Sequence, residues 1–387
     1  LGSTGPAKSW RVPVCVSLPG RPRAVCTELA AGETSVPLPG PECPAWAFAN
    51  ADGAGYYRTR FSIDEARRAL AEGALPATER LALAGDLEAL VSSGDVAAAD
   101  ALALAARFAG DPERLVVEAA VGLLRDLESA IDAERLPRYR AFVRTAFGAR
   151  ARKLGLSPAQ GESEDTSLLR RSHFWAMGSV GRDPELARRA AALTGAWVDG
   201  RAELDQTLLL ALLEVGGAAA DRSLFDRLRA AAVTETDRLK RRRLLFAVGA
   251  ATDPALARDA LALTVDPRLD ARESLGILFQ VASRRETAQL ALDFTTGHYE
   301  QLIARLPRGF DSPIAYLPGT GARLCTPEAR TAVEHFFGPR AAGIEGGQRI
   351  LAQELEMMDQ CVARRRSQQA SAAAFLDAWA EDGGDGR

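Results

Sequence analysis

From Ser62 to the end of this 387-residue chain, apolar residues recur at helical spacing and no convincing strand interrupts them. A run of that length with one period restricts the chain to a mainly α fold built from many helices. Ala and Leu, both strong helix formers, dominate it. Ser62 with Glu65 three residues on has the form of a capping box, in which the Ser hydroxyl takes a free N–H of the first turn. Apolar positions then repeat through Ala66 and Leu70 and across residues 77–91 and 96–108.

The helical part is also repetitive. Asp111-Pro112-Glu113, Asp183-Pro184-Glu185 and Asp253-Pro254-Ala255 are helix starts of one kind, with Asp as the cap and Pro in the first helical position. They lie 72 and 70 residues apart (111 to 183, 183 to 253). Half of that spacing, about 35 residues, is the length of a helix-turn-helix repeat. The expectation is a curved HEAT- or armadillo-like stack over residues 62–387. Residues 307–325 are dense in Pro and Gly and read as a loop. Thr326-Pro327-Glu328 then opens a helix over 326–337, followed by helices over 347–366 and 371–380 and a polar tail.

The first sixty-one residues have another character. Short alternating or apolar runs at 10–17, 23–29, 34–38, 45–48 and 56–61 are separated by Gly20, Gly32, Gly40-Pro41 and Asp52-Gly53. That punctuation predicts a small β-sandwich over 1–61, possible in part only, since four or five strands are few for a closed one.

Composition excludes several classes. With 47% hydrophobic and 26% charged residues the chain has the balance of a folded globular protein. A formal net charge of −3 argues against a nucleic-acid partner. No apolar run reaches the ~18 residues of a membrane span; the longest, residues 208–215, holds Glu214 and ends at Gly216-Gly217. The chain starts at Leu1 with no signal-peptide core, so the expectation is a piece of something longer, or a processed form.

Motifs for chemistry are missing. There is no H-E-x-x-H, nucleophile elbow or phosphate loop. His173 and His298 read as packed against aromatic neighbours, and His335 as a helix-surface residue. No catalytic or metal-binding residue is nominated, and no cofactor is expected in this chain. Lys240-Arg241-Arg242-Arg243 reads as a solvated helix face, and Arg364-Arg365-Arg366 as cations near the end of a helix. Of the five cysteines, Cys325 is expected to pair with Cys361, and Cys26 with Cys15 or Cys43; buried thiols are the other reading. Disulfides would point to an oxidising place, a periplasm or the cell exterior.

Residues 46–61, W-A-F-A-N-A-D-G-A-G-Y-Y-R-T-R-F, resemble the junction before the helical domain of aminopeptidase N-type zinc metallopeptidases. The residues that carry it are Trp46, Asn50, Gly53, Gly55, Tyr56, Tyr57 and Arg58. Trp10-Arg11-Val12-Pro13-Val14 resembles the strand preceding that junction, and Arg241 to Asp253 is similar to a helix of the family. Phe336-Phe337 and the stretch from Glu354 to Cys361 resemble the close of the endoplasmic-reticulum-aminopeptidase-like C-terminal domain. The resemblance implies a parent enzyme with an N-terminal domain, a zinc-catalytic domain, a β-sandwich and a helical bowl. This chain would be the last two, a substrate-access lid with peptides and the upstream domains as partners and zinc held elsewhere. The substrate-binding Arg of some relatives has no counterpart at Val248-Gly249-Ala250-Ala251. The alternative is a stand-alone helical-repeat interaction module.

Overall fold

The structure is a computed structural model that describes residues 10–30, 32–38, 42–73, 75–309 and 312–383. The mainly α expectation holds: beside many helices, the described residues form one two-stranded sheet. The chain divides into two compact units, Leu1–Leu123 and Leu124–Arg387. The expected junction at 61/62 lies inside the first.

In the first unit, β1 (Val12–Val16) pairs antiparallel with β2 (Val25–Leu29). Cys15 faces Cys26 in the register, and the two are joined by a disulfide with Cα atoms 4.0 Å apart. Cys43 is free and exposed. One isolated bridge ties Ser17 to Phe48. Among the described residues the strands of this segment amount to a hairpin and a bridge. Residues 34–38 form no strand, and the Gly40-Pro41 break lies outside the described residues. Residues 56–61 form none either, and at Thr59 a side chain takes the place of a strand partner. The buried Asp86 carboxylate accepts the Thr59 N–H (3.2 Å) and the Thr59 hydroxyl.

Helices α1 (Ile63–Ala71), α2 (Ala77–Ser93) and α3 (Ala98–Phe108) follow, and α4 (Arg114–Leu127) carries the chain to the unit boundary. Leu83, Leu87, Leu102, Ala105 and Phe108 are buried in this unit. Ser62 stands at the cap position of α1 with an extended backbone, but its hydroxyl makes no capping bond. Asp111-Pro112 does not open a helix at Pro112: α4 starts at Arg114, and the Asp111 carboxylate is forked by Arg80 (2.6 and 2.9 Å).

The second unit is a stack in two rows. It runs through α5 (Leu136–Leu154), α6 (Glu164–Trp175), α7 (Pro184–Val198), α8 (Leu209–Ala218), α9 (Arg222–Thr234), α10 (Arg238–Gly249), α11 (Pro254–Ala262), α12 (Ala271–Ala282), α13 (Ala288–Gly297) and α14 (Tyr299–Arg305). Each even helix packs on its odd predecessor. In addition α8, α10 and α12 touch in series, as do α7, α9, α11 and α13. Asp183, Asp221, Asp237, Asp253 and Asp270 each cap a helix of the stack by accepting a backbone N–H of its first turn. The Asp-Pro signal at 183 and 253 thus belongs to a wider use of Asp at each turn.

Glycine sets the spacing of the rows. A Cβ on Gly217 would lie 2.1 Å from the Ala247 carbonyl of α10, and one on Gly216 would lie 2.7 Å from the Ala190 carbonyl of α7. Only hydrogen at both positions lets α8 sit between its neighbours at this distance.

After α14 the Pro-rich stretch is not a plain loop: residues Pro313–Gly321 form a 3-10 helix that includes Pro318. Thr326 caps α15 (Pro327–Ala341) by accepting the Ala329 N–H (3.2 Å). The two helices expected after it are one, α16 (Gly347–Glu381), because Ser367-Gln368-Gln369-Ala370 holds no breaker. Residues 384–387 of the polar tail lie outside the described residues. In consequence Arg364-Arg365-Arg366 sit in the middle of a helix, and the dipole argument for them fails.

The end of α16 returns to α5. Arg135 grips Asp377 with two bonds (2.7 and 3.0 Å), Arg138 adds a third (2.6 Å), and Phe142 meets Phe375 and Trp379 edge-on. No helix among the described residues is long and apolar enough to cross a membrane.

Gly217→Ala is expected to cost about 1–3 kcal/mol, because the added methyl meets backbone rather than a side chain that can turn aside. Urea denaturation of both proteins measures this; equal midpoints would mean that α8 and α10 separate freely.

Candidate functional site: an arginine-lined cleft

The residues of the sequence motif form a brace in the first unit. Asn50 is buried, and its amide both accepts the Gly55 N–H (2.7 Å) and donates to the Gly55 carbonyl (3.1 Å). The Tyr57 ring packs so close to Gly55 that any Cβ there would lie 2.1 Å from it, and its hydroxyl donates to the Ala49 carbonyl (2.8 Å). Trp46 is buried and donates to Glu72 (2.8 Å). Arg58 reaches Asp86 at 3.5 Å with most of its side chain in solvent, and Tyr56 is fully exposed. Tyr56 and Tyr57 thus do not alternate about a strand, and neither is fully buried. These residues fix a turn.

The histidines are equally structural. His173 is fully buried beside Phe147, and His298 stacks on Phe294 with centroids 4.1 Å apart. His335 is exposed. Part of the basic run of α10 is paired, while Lys240 and Arg242 stay exposed as on a solvated face. Arg241 and Arg238 each bond Glu273 of α12 at 2.7 Å, and Lys240 pairs with Glu235. Among the described residues no three His, Cys, Asp or Glu side chains converge to hold a metal ion.

What the sequence did not disclose is a cleft of about 360 Å³ in the second unit. Its wall carries six arginines, Arg125, Arg182, Arg284, Arg285, Arg323 and Arg365, against two carboxylates, Glu128 and Glu214. Trp175 and Phe246 supply its aromatic surface.

Local backbone features bring these segments together. After α6 the helix widens to a π turn over Ala176–Val180, where the Gly181 N–H donates back to the Ala176 carbonyl (2.8 Å). Such widened turns recur at functional sites. Here the turn keeps Trp175 and Ser179 on one side, and both donate to Glu214 of α8 (2.8 and 3.3 Å). Arg182 follows with φ +48°, a left-handed conformation rare for a residue with a Cβ. On the far side Cys325, at φ +45°, is joined by a disulfide to Cys361 of α16, with Cα atoms 5.2 Å apart. That bond holds Arg323, two residues before it, near Arg365, one helical turn beyond it.

The electrostatics are unbalanced. Arg284 is 6% exposed and reaches Glu214 only at 3.4 Å, while its Nε finds no partner. Burial pulls the Arg284 guanidinium below its ordinary value. Burial does the same to Arg323, and the Arg125 charge beside it adds to the effect. A guanidinium stays charged regardless, so both are cations whose burial is only partly offset by the carboxylates near them. Burial pushes the Glu128 carboxyl up despite Arg182 and Arg140 nearby, which weakens one of the two negative walls. An arrangement of this kind can hold an anion.

A family model described as the ERAP1-like C-terminal domain matches residues 46–360. The chain belongs to that family. It is a C-terminal helical region of the aminopeptidase kind, and the match covers both the junction brace and every cleft-lining segment except Arg365.

Glu128 gives a pH test. A carboxyl with its folded pKa above its unfolded one binds its proton more tightly when folded. Stability is therefore lost as pH rises through the window between the two, from about 4.3 upward. Glu128→Gln is expected to raise Tm at pH 7.5 and to lose that advantage at pH 4. A Tm difference that does not change with pH would contradict the burial argument.

Proposed function

We propose that this chain is the substrate-access region of a zinc-dependent aminopeptidase that removes N-terminal residues from peptides. In this reading catalysis and zinc belong to other domains of the parent protein, and the two-row stack is a HEAT-like lid. The arginine-lined cleft receives the carboxylate end of the peptide, far from the end being cut. The family match supports the enzyme class. The observation that carries the role of the cleft is Arg284, a guanidinium only 6% exposed that lines a cavity rich in cations and reaches Glu214 at 3.4 Å. An entering carboxylate would give this cation a further acceptor, and charge-assisted bonds of this type contribute about 1.5–3 kcal/mol. The disulfides Cys15–Cys26 and Cys325–Cys361 support a periplasmic or secreted location.

The zinc-enzyme reading is tested by the coding sequence upstream of Leu1. An H-E-x-x-H with a further Glu downstream is expected there, and an upstream sequence without it would sink the reading. The cleft is tested by calorimetry with one peptide in two forms, free acid and C-terminal amide. The free acid is expected to bind at least tenfold tighter. Arg284→Gln is expected to remove most of that difference, and equal affinity of acid and amide for the unaltered chain would refute carboxylate capture.

A further inference from the structure

The charge balance of the cleft asks for more than one carboxylate. Six guanidiniums against two carboxylates leave a surplus of four positive charges on its wall. The groups just behind the wall do not change this. Asp126 and Glu286 pair with Arg125 and Arg182, while Arg140 and Arg364 add two further cations. A peptide end with neutral side chains brings a single negative charge and leaves the rest of the surplus uncompensated in a partly buried space.

The cations also fall into two groups by depth. Arg284 is deep, with its Nε unpaired. Arg323 and Arg365 are half-buried and held at one edge by the Cys325–Cys361 disulfide. At about 360 Å³ the cleft reaches the size of ordinary ligand sites, roughly 300–1,000 Å³, and exceeds what a single small ion needs. Two glutamates stand among the cations of the wall. They suit a ligand that carries N–H donors between separated carboxylates, as a peptide backbone does. Trp175 and Phe246 offer apolar surface to the methylene groups of an acidic side chain.

We infer that the cleft selects peptides with Asp or Glu in the last few positions, with Arg284 on the terminal carboxylate and Arg323 and Arg365 on the acidic side chain. This rests on the carboxylate-capture reading above and adds a substrate class to it.

The test uses the whole chain and four peptides of one sequence, ending in Glu-Glu or Gln-Gln, each as free acid and as amide. Binding is measured by calorimetry at low and moderate salt. The Glu-Glu free acid is expected to bind about tenfold or more tighter than the Gln-Gln free acid, with the ratio shrinking as salt rises. Arg323→Gln with Arg365→Gln should bring that ratio toward one, and Arg323→Lys with Arg365→Lys should preserve much of it, which separates lost charge from lost fold. Equal affinity of the Glu-Glu and Gln-Gln acids overturns the acidic preference even if acids still outbind amides. Equal affinity of acids and amides overturns the capture reading beneath it. Inorganic tripolyphosphate binding more tightly than the Glu-Glu acid would also overturn the inference and assign the cleft to phosphate chemistry.

Discussion

The second unit depends on how closely α8 approaches α7 and α10. Gly216 and Gly217 present no side chain to either neighbour, so two helix–helix contacts close around one dipeptide. Nearby, Gly178 lies against Val215, and a Cβ there would stand 2.5 Å from that side chain. These contacts hold Glu214, two residues before the glycine pair, against Trp175 and Ser179. Glu214 is in turn an ion-pair partner of Arg284, at 3.4 Å. Helix spacing and cleft electrostatics are thus set at the same place. Loosening the stack would free the carboxylate that keeps the buried arginine from being wholly alone.

The polar groups of the two units are used in opposite ways. In the first, the buried Asp86 carboxylate is saturated by the Thr59 backbone and hydroxyl and by Arg58, and a loop is fixed without a sheet. In the second, the cleft leaves Arg284 short of acceptors and gathers like charges that repel one another. A fold tolerates such an arrangement when the rest of the structure over-determines it. The left-handed Arg182 and Cys325, the π turn and the Cys325–Cys361 bond all lie along its margin.

Local sequence signals carried the helices well and the cleft hardly at all. Asp183, Asp253 and Thr326 announced their helices because a cap and a proline act within one turn. Residues 56–61 alternate like a strand, yet the Thr59 N–H goes to the Asp86 carboxylate, beyond the reach of any local pattern. The break expected between Arg366 and Ser371 is absent because residues 367–370 hold no Gly or Pro to stop the helix. The arginines of the cleft come from segments around 125, 182, 284, 323 and 365, and no window of sequence contains them together. The arginine run at 364–366 offered a hint, but its position mid-helix came only with the structure.

The length of α16 has a consequence for how the chain is made. Its 35 residues form a rod of about 52 Å that carries Cys361 and Arg365 along its middle and Asp377 and Trp379 near its end. The partner of that end is α5, 242 residues earlier at the Arg135–Asp377 pair. A ribosome releases α5 long before the surface that covers Phe142 exists. The apolar face of the unit's first long helix must therefore wait, open to water and to chaperones, while the intervening stack grows.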